Sequence, residues 1–312
     1  MAHMVPTEFW RWAIKSVKEK YPEIIFIAEL YDVSIYRDYI YRAGFDFLYD
    51  KVNLYDTLRG IQCYNISAAQ LTNCWQTVDG IANHMLNFLE NHDEQRFASK
   101  EYAGSAELAI PSLVVASTIS TGPTMIYFGQ ELGEKGQDAE GFSGLDGRTS
   151  IFDYWSVPTV RRWYNNGKCN NDKLTVSEQK LRETYSKILK LSTKENAIAK
   201  GSFFDIMYVN YTNPTINPHN IYAYLRCYES EIIVVAVNFS GNRYLCDLAI
   251  PQHAFDILGI SQGTYPATEL LTGKRGKKML TATDPFSIEL EGNNAALWKI
   301  KLPTKKTTKN LK

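Results

Sequence analysis

The sequence predicts an α/β unit built on a helix-covered parallel sheet, followed by an all-β unit of antiparallel strands. Up to about residue 195, segments of helical periodicity alternate with short, continuously apolar runs, which is typical of parallel strands covered by helices. Beyond that point, strand-like runs follow one another and are separated by Asn, Gly and Pro turns. We therefore expect a first domain over residues 1–196 and an antiparallel β-sandwich over residues 197–303.

The elements of the first domain follow from periodicity and capping residues. Residues 7–20 place apolar side chains on one helical face, and Pro22 ends that helix. The apolar run EIIFIAEL predicts the first strand. A short helix, capped by Ser34 and closed by Gly44, leads to the second strand, FDFLYD.

Two more strands complete the predicted parallel sheet. HMLNFLE follows helical stretches over residues 53–63 and 67–75, and PTMIYFG follows the apolar helix AELAIPSLVVASTI. A long Gly-rich loop then leads to a last helix, where Thr175 and Glu178 form a capping box. The buried face of this helix is predicted to carry four residues: Leu181, Tyr185, Ile188 and Leu189.

The second domain is predicted from its strand-like runs. They are GSFFDIMYV, NIYAYLRCYES, EIIVVAVNFS, RYLCDLAI, ATELLTG and FSIELEGNNAALWKI. The basic, apolar-poor end of the chain, residues 304–312, predicts a flexible tail rather than a nucleic-acid-binding arm.

Composition narrows the classes of function. Lysine plus arginine equals aspartate plus glutamate at 34 each, so no net charge favours nucleic acid or an anionic membrane as a partner. The aromatic content of 13% suits a sugar-binding protein, although large cores use the same residues. No membrane span is expected, and no signal peptide is visible, which leaves the localisation open. The five cysteines are widely spaced and are expected to be buried free thiols.

Polar residues close three of the four predicted parallel strands. Glu29 ends the first strand, Asp50 ends the second, and Asn91, His92 and Asp93 end the third. In helix-covered barrels the chemistry lies at the carboxyl ends of the strands. A single acid at a strand end is more often a helix cap or a surface charge, but three such ends favour a shared site.

The four strand motifs resemble a known family in their order and spacing. FIAELYD, GFDFLYDK, FLENHDEQR and GPTMIYFGQELGE resemble the second half of the catalytic barrel of the alpha-amylase family, glycoside hydrolase family 13. The loop EGFSGLDGRTSIFDYW and the segment YLRCYESEIIVVAVNFS resemble later parts of the same proteins. The resemblance runs from Pro6 to about Ile300. It implies strands 5–8 of a TIM (β/α)8 barrel followed by an antiparallel β-sandwich.

The resemblance also implies roles for the strand-end residues. Glu29 is expected to be the general acid/base, with Asp93 as the second catalytic carboxylate, which grips neighbouring hydroxyls and raises the pKa of Glu29. His92 and Asn91 are expected to bind substrate, and Tyr31 to stack on a sugar. No metal-ligating set and no required cofactor are predicted, and a family-type calcium site would belong to a full-length parent.

One departure from the family pattern bears on activity. The family's nucleophile and its orienting arginine lie at the end of the fourth barrel strand, and residues 1–5 match the segment just after that nucleophile. We therefore expect a fragment of a retaining glycosidase acting on α-1,4-glucans (starch, maltodextrins, maltooligosaccharides) that is inactive alone. The alternative is a non-catalytic half-barrel with a carbohydrate-binding or structural role. In both cases the open barrel edges predict self-association. The choice between hydrolysis and transglycosylation stays open.

Overall fold

The computed structural model of the protein describes residues 1–137, 146–152 and 157–303. The chain divides into two compact units, Met1–Lys190 and Leu191–Lys312. The predicted tail, residues 304–312, lies outside the described residues, as does most of the segment EGFSGLDGRTSIFDYW.

The first unit contains a four-stranded sheet in the order β1-β2-β3-β4, and every neighbouring pair is parallel. This confirms the predicted parallel sheet. The strands are short: β1 (Ile27–Ala28), β2 (Phe47–Tyr49), β3 (Met85–Phe88) and β4 (Thr124–Met125). Because β1 and β4 lie at the ends of this order, each has one edge unpaired within the sheet.

The first predicted strand is mostly not a strand. Of the run EIIFIAEL, only Ile27–Ala28 joins the ladder. Ile24, Ile25 and Ile27 are exposed rather than buried, because β1 is an edge strand and no further strand of this sheet covers that side.

Helices connect the strands. Helix α1 matches its prediction, but of its predicted apolar face only Ile14 is buried and Phe9 is exposed. Trp12, which lies outside that predicted face, is exposed as well. Among the described residues up to Lys194, the α-helices are α1 (Thr7–Lys20), α2 (Tyr36–Asp38), α3 (Asp56–Cys63), α4 (Leu71–Thr77), α5 (Ile110–Thr118), α6 (Pro158–Tyr164) and α7 (Val176–Lys194). The capping box of α7 is confirmed, because the Glu178 carboxylate accepts the backbone N–H of Thr175 and the Thr175 hydroxyl accepts the backbone N–H of Glu178.

The helical segment after β1 begins differently from the prediction. Asp32, rather than Ser34, is the capping side chain, and it accepts the backbone N–H of Ser34. Gly44 closes the segment as predicted, with φ of 91°, a left-handed conformation that glycine adopts without strain. The adjoining core packs this segment against α1 and β2 through Ile14, Leu48 and their neighbours.

The second unit is antiparallel, as predicted. One sheet has the order β10-β9-β12-β7-β6-β5, and the other pairs β11 with β8. The strands are β5 (Ser202–Asp205), β6 (Ile221–Tyr228), β7 (Glu231–Asn238), β8 (Tyr244–Leu248), β9 (Gly263–Glu269), β10 (Arg275–Leu280), β11 (Phe286–Leu290) and β12 (Asn294–Lys301). The sequence did not predict β10, which is Lys- and Arg-rich, or the helices α8 (Asn196–Ala199) and α9 (Gln252–Leu258).

The cysteines are free thiols, as expected, but not all are buried. Cys74, Cys227 and Cys246 are buried, Cys63 is intermediate and Cys169 is exposed. Among the helices of the described residues, none combines the length and apolar character needed to cross a membrane.

Candidate active site

Strands β1 and β3 bring three predicted site residues together. Glu29 directly follows β1, and His92 and Asp93 come shortly after β3. One side-chain ligand atom from each of the three lies within 4.8 Å of the other two. Parallel strands present their carboxyl ends at one edge, which explains why residues 63 positions apart in sequence meet.

Glu29 has a defined hydrogen-bond environment. Its Oε1 accepts a hydrogen bond from the Tyr31 hydroxyl, and its Oε2 lies 3.6 Å from the α-amino group of Met1. The carboxylate is partly exposed, so solvent and a ligand can reach it. Tyr31 is therefore engaged with Glu29 itself, and its predicted stacking on a sugar stays a prediction.

The pKa of Glu29 is lowered, which corrects the expectation of a raised value. Burial raises this pKa, but the hydrogen bond from Tyr31 and the positive charges of the Met1 amino group and His92 outweigh it. The carboxylate is thus favoured in the sugar-free protein. Burial and the hydrogen bond to Glu29 raise the pKa of Tyr31, so this phenol stays a hydrogen-bond donor.

His92 and Asp93 form a partly exposed pair. The Nε2 atom of His92 lies 3.4 Å from Oδ2 of Asp93. An imidazole beside a carboxylate can donate and accept hydrogen bonds with neighbouring hydroxyl groups, which suits a polyol ligand.

Asn91 shapes the turn that carries these two residues. Its side chain is buried, and its Oδ1 accepts the backbone N–H groups of Asp93 and Glu94, both at 2.9 Å. Its Nδ2 has no hydrogen-bond partner among the described residues. The observed role is therefore positional, and substrate contact by Asn91 stays a prediction.

A buried ion pair next to this turn was not predicted. Nη1 of Arg96 donates to Oε2 of Glu90 at 2.8 Å, and both side chains are almost completely buried. The guanidinium also lies over the rings of Tyr127 and Phe128, 4.3 and 4.8 Å from their centroids. Burial raises the pKa of Glu90, and Arg96 opposes this. The motif FLENHDEQR contains both residues, but nothing in it signals that they are buried.

Asp50, the third strand-end acid, has a structural role. Its carboxylate accepts hydrogen bonds from the backbone N–H of Leu54 at 3.2 Å and from Nδ2 of Asn53 at 3.1 Å. The side chain is 2% exposed, and burial raises its pKa to about 6. Asp50 thus caps the helical turn Lys51–Tyr55. A helix cap is one of the ordinary roles of a single acid at a strand end.

Several solved structures are similar to this chain in fold. A noncanonic maltogenic alpha-amylase, AmyB from Thermotoga neapolitana, superposes with a TM-score of 0.65 at 19% identity, over 97% of this chain and 60% of that one. AmyP in complex with maltose gives a TM-score of 0.70 at 18% identity, over 97% and 63%. An alpha-amylase from Geobacillus thermoleovorans complexed with acarbose gives 0.68 at 17% identity, over 96% and 58%.

The chain therefore spans about three fifths of the length of these similar structures, and at such low identity the likeness shows the fold. No curated protein matches the chain. The family model described as alpha amylase, catalytic domain, matches residues 4–197, which is more than half of the chain. On this match, with its strand-end motifs in family order, the chain belongs to the alpha-amylase family.

Proposed function

We propose that this chain supplies the acid/base side of a retaining alpha-amylase-type active site that cleaves α-1,4-glucans. The observation that carries the proposal is the convergence of Glu29, His92 and Asp93 within 4.8 Å at the carboxyl ends of parallel strands. An oligosaccharide ligand is supported by AmyP in complex with maltose and by the Geobacillus thermoleovorans enzyme complexed with acarbose.

The proposed mechanism assigns the proton transfers to Glu29. Glu29 protonates the glycosidic oxygen as the bond to the leaving sugar breaks, and later takes a proton from the attacking water. The lowered pKa describes the sugar-free state. A bound sugar chain excludes water from the carboxylate, and this desolvation raises the pKa toward the value that an acid catalyst needs.

His92 and Asp93 hold the sugar in this mechanism. His92 hydrogen-bonds a hydroxyl of the ring being cleaved, and Asp93 binds neighbouring hydroxyls as the ring flattens. The negative charge of Asp93 also stabilises the oxocarbenium-like transition state, which is positively charged. Asn91 supports both by fixing the turn that carries them.

We also propose a more specific fold for each of the two units. The four parallel strands correspond to strands 5–8 of a TIM barrel, and the two antiparallel sheets of the second unit correspond to a β-sandwich. The strand order β1-β2-β3-β4 with unpaired outer edges supports the first assignment, and a six-stranded sheet accompanied by a two-stranded one supports the second.

The proposed site is incomplete among the residues that the structure describes. Retention needs a second carboxylate about 5 to 5.5 Å from the acid, which forms the glycosyl-enzyme intermediate. Among the described residues, the carboxylate that clusters with Glu29 is Asp93, which we assign to the sugar hydroxyls. We therefore propose that the nucleophile, its arginine and any calcium site come from sequence beyond this chain.

Two measurements on the chain test this function. We expect calorimetry to detect weak binding of maltoheptaose, and a reducing-sugar assay on soluble starch to detect no cleavage. His92→Ala should weaken sugar binding, whereas His253→Ala, an exposed histidine of the second unit, should not. Absence of sugar binding would contradict the proposal. Cleavage that Glu29→Gln abolishes would show a complete site, with Asp93 the first nucleophile to examine.

A second candidate function is a half-barrel that binds carbohydrate without cleaving it. The partial exposure of His92 and Asp93 favours it, because sugar hydroxyls can reach these side chains whether or not a nucleophile is present. Assays of a longer chain that also carries a nucleophile-bearing strand distinguish the two functions. If that chain binds maltoheptaose but does not cleave starch, the binding function is the better assignment.

We further propose that the chain associates with itself. The unpaired strand β1 carries the exposed Ile27, and the exposed Ile25 lies just before it. In the same unit α1 exposes Phe9 and Trp12. An unpaired strand edge next to apolar side chains favours pairing with another copy of the chain.

A further inference from the structure

We propose that Glu29, His92 and Asp93 form a binding site for one Zn²⁺ ion. The three side chains offer one imidazole nitrogen and two carboxylate oxygens within 4.8 Å of one another. Zinc binding at this site requires no catalytic activity, so it can be tested independently of the proposed function.

The distances suit tetrahedral coordination. Zn²⁺ binds nitrogen and oxygen at about 2.0 to 2.2 Å, so two ligand atoms of a tetrahedral site lie roughly 3.4 Å apart. Nε2 of His92 and Oδ2 of Asp93 already lie 3.4 Å apart. The Glu29 carboxylate has to approach by roughly 1 Å, a movement that side-chain rotation provides. The fourth position remains open for water, as in zinc sites with three protein ligands.

The three ligand atoms, one imidazole nitrogen and two carboxylate oxygens, determine which metal ion the site favours. Ca²⁺ takes six to eight oxygen ligands, and Mg²⁺ requires near-ideal octahedral oxygen geometry. A site with one imidazole and two carboxylates favours Zn²⁺ over both, because imidazole is a ligand for the later transition metals. We therefore expect zinc to bind where magnesium at the same concentration does not.

The charge around the site also favours a cation. The nearby cations Lys51 and Arg59 pair with Glu94, at 3.2 Å each, rather than with Glu29 or Asp93. The cation that does lie next to Glu29 is the monovalent α-amino group of Met1, at 3.6 Å, and a dication that displaces it neutralises both carboxylates.

Supporting hydrogen bonds hold the three ligands in place. Tyr31 fixes Oε1 of Glu29, and Asn91 fixes the turn that carries His92 and Asp93. Oε2 of Glu29 lies 3.6 Å from the α-amino group of Met1, which a bound metal ion has to displace. Such outer interactions orient ligand side chains and strengthen metal binding. All three ligands are partly exposed, so an ion reaches them without opening the core.

Calorimetric titration of ZnCl₂ into the metal-free chain tests the site. We expect one zinc per chain, with at least a tenfold loss of affinity in His92→Asn and in Glu29→Gln. The matched control His253→Asn should keep the wild-type affinity, and so should Cys169→Ser, which removes the exposed thiol. Equal melting temperatures of the metal-free variants would show that the folds are intact.

Several results would overturn the site. They are no zinc binding up to millimolar concentration, unchanged affinity in His92→Asn, loss of affinity in either control variant, and equally tight binding of MgCl₂.

The expected competition between zinc and sugar rests on the proposed function. If sugar hydroxyls use the same three side chains, saturating maltoheptaose should weaken zinc binding by competition. A zinc affinity that depends on His92 but is unchanged by maltoheptaose would leave the metal site standing and would contradict the proposed sugar contacts.

Discussion

The hydroxyl of Tyr31 donates a hydrogen bond to Oε1 of Glu29, two residues before it in the chain. The contact joins the proposed acid to the aromatic residue that follows it at the end of β1. The hydrogen bond favours the ionised carboxylate, so Tyr31 is one of the groups that lower the pKa of Glu29.

Tyr31→Phe should raise the pKa of Glu29. The substitution removes a hydrogen bond that lowers this pKa and keeps the aromatic ring. A pH titration followed by NMR of ¹³C-labelled glutamate carboxyl groups measures the shift. Tyr49→Phe is the matched control, because the Tyr49 hydroxyl faces the Met125 sulfur at 3.8 Å rather than Glu29. A Glu29 pKa that is unchanged or lower in Tyr31→Phe would refute this assignment.

Arg96→Met should destabilise the first unit by about 3 to 5 kcal/mol, since it leaves Glu90 buried without its cation. Urea unfolding followed by circular dichroism measures the loss. Arg42→Met is the control: Arg42 forms ion pairs with Glu8 and Asp38 at the surface and should cost less than about 1 kcal/mol. Similar losses of unfolding free energy in the two variants would mean that the buried ion pair contributes no more stability than the surface ion pairs.

Asp50→Asn should remove a pH dependence of stability. Burial raises the pKa of Asp50 to about 6, so the folded chain holds a proton that the unfolded chain has released between about pH 4 and pH 6. The stability from this group is full below that range and is lost as the pH rises through it. At about 1.36 kcal/mol per pKa unit, the loss is ~3 kcal/mol.

Urea unfolding of both proteins from pH 4 to pH 7 checks this. The unfolding free energy of the wild type minus that of Asp50→Asn should fall as the pH rises. Parallel profiles of the two proteins would show that Asp50 does not titrate in this range.

Ile25→Lys should reduce self-association. The charge adds repulsion and hydration next to the unpaired edge of β1. Light scattering after gel filtration measures the mass as a function of concentration. Ile257→Lys is the control, since Ile257 is equally exposed at 61% but lies in α9 of the second unit. A monomeric wild type, or the same effect in both variants, would count against association through this edge.

Much of the fold was predictable because periodicity and caps are local signals. Helix α1 and the capping box formed by Thr175 and Glu178 are encoded within one or two turns, and the structure contains both. Strand length was not predictable in the same way. Ile24 and Ile25 have the composition of a buried strand, but a strand also needs a partner, and β1 has only β2.

The candidate site was predictable in its members but not in its electrostatics. The order of the motifs pointed to Glu29, His92 and Asp93, because parallel strands bring their carboxyl ends together. The lowered pKa of Glu29 depends on a hydrogen bond and on charges that only the folded chain brings close. The role of Asp50 was not predictable either, because the sequence alone does not distinguish a helix cap from a catalytic acid at a strand end.

The unequal length of the strands implies an order of local opening in the native state. Strands β1 and β4 hold two residues each, whereas β6 and β7 pair along eight. Deuterium should therefore reach the amides of β1 and β4 within brief opening events, while β6 and β7 exchange only when their whole sheet opens. Glu29 follows directly on one of these short strands, so we expect the backbone that carries the proposed acid to open more often than the sheet of the second unit.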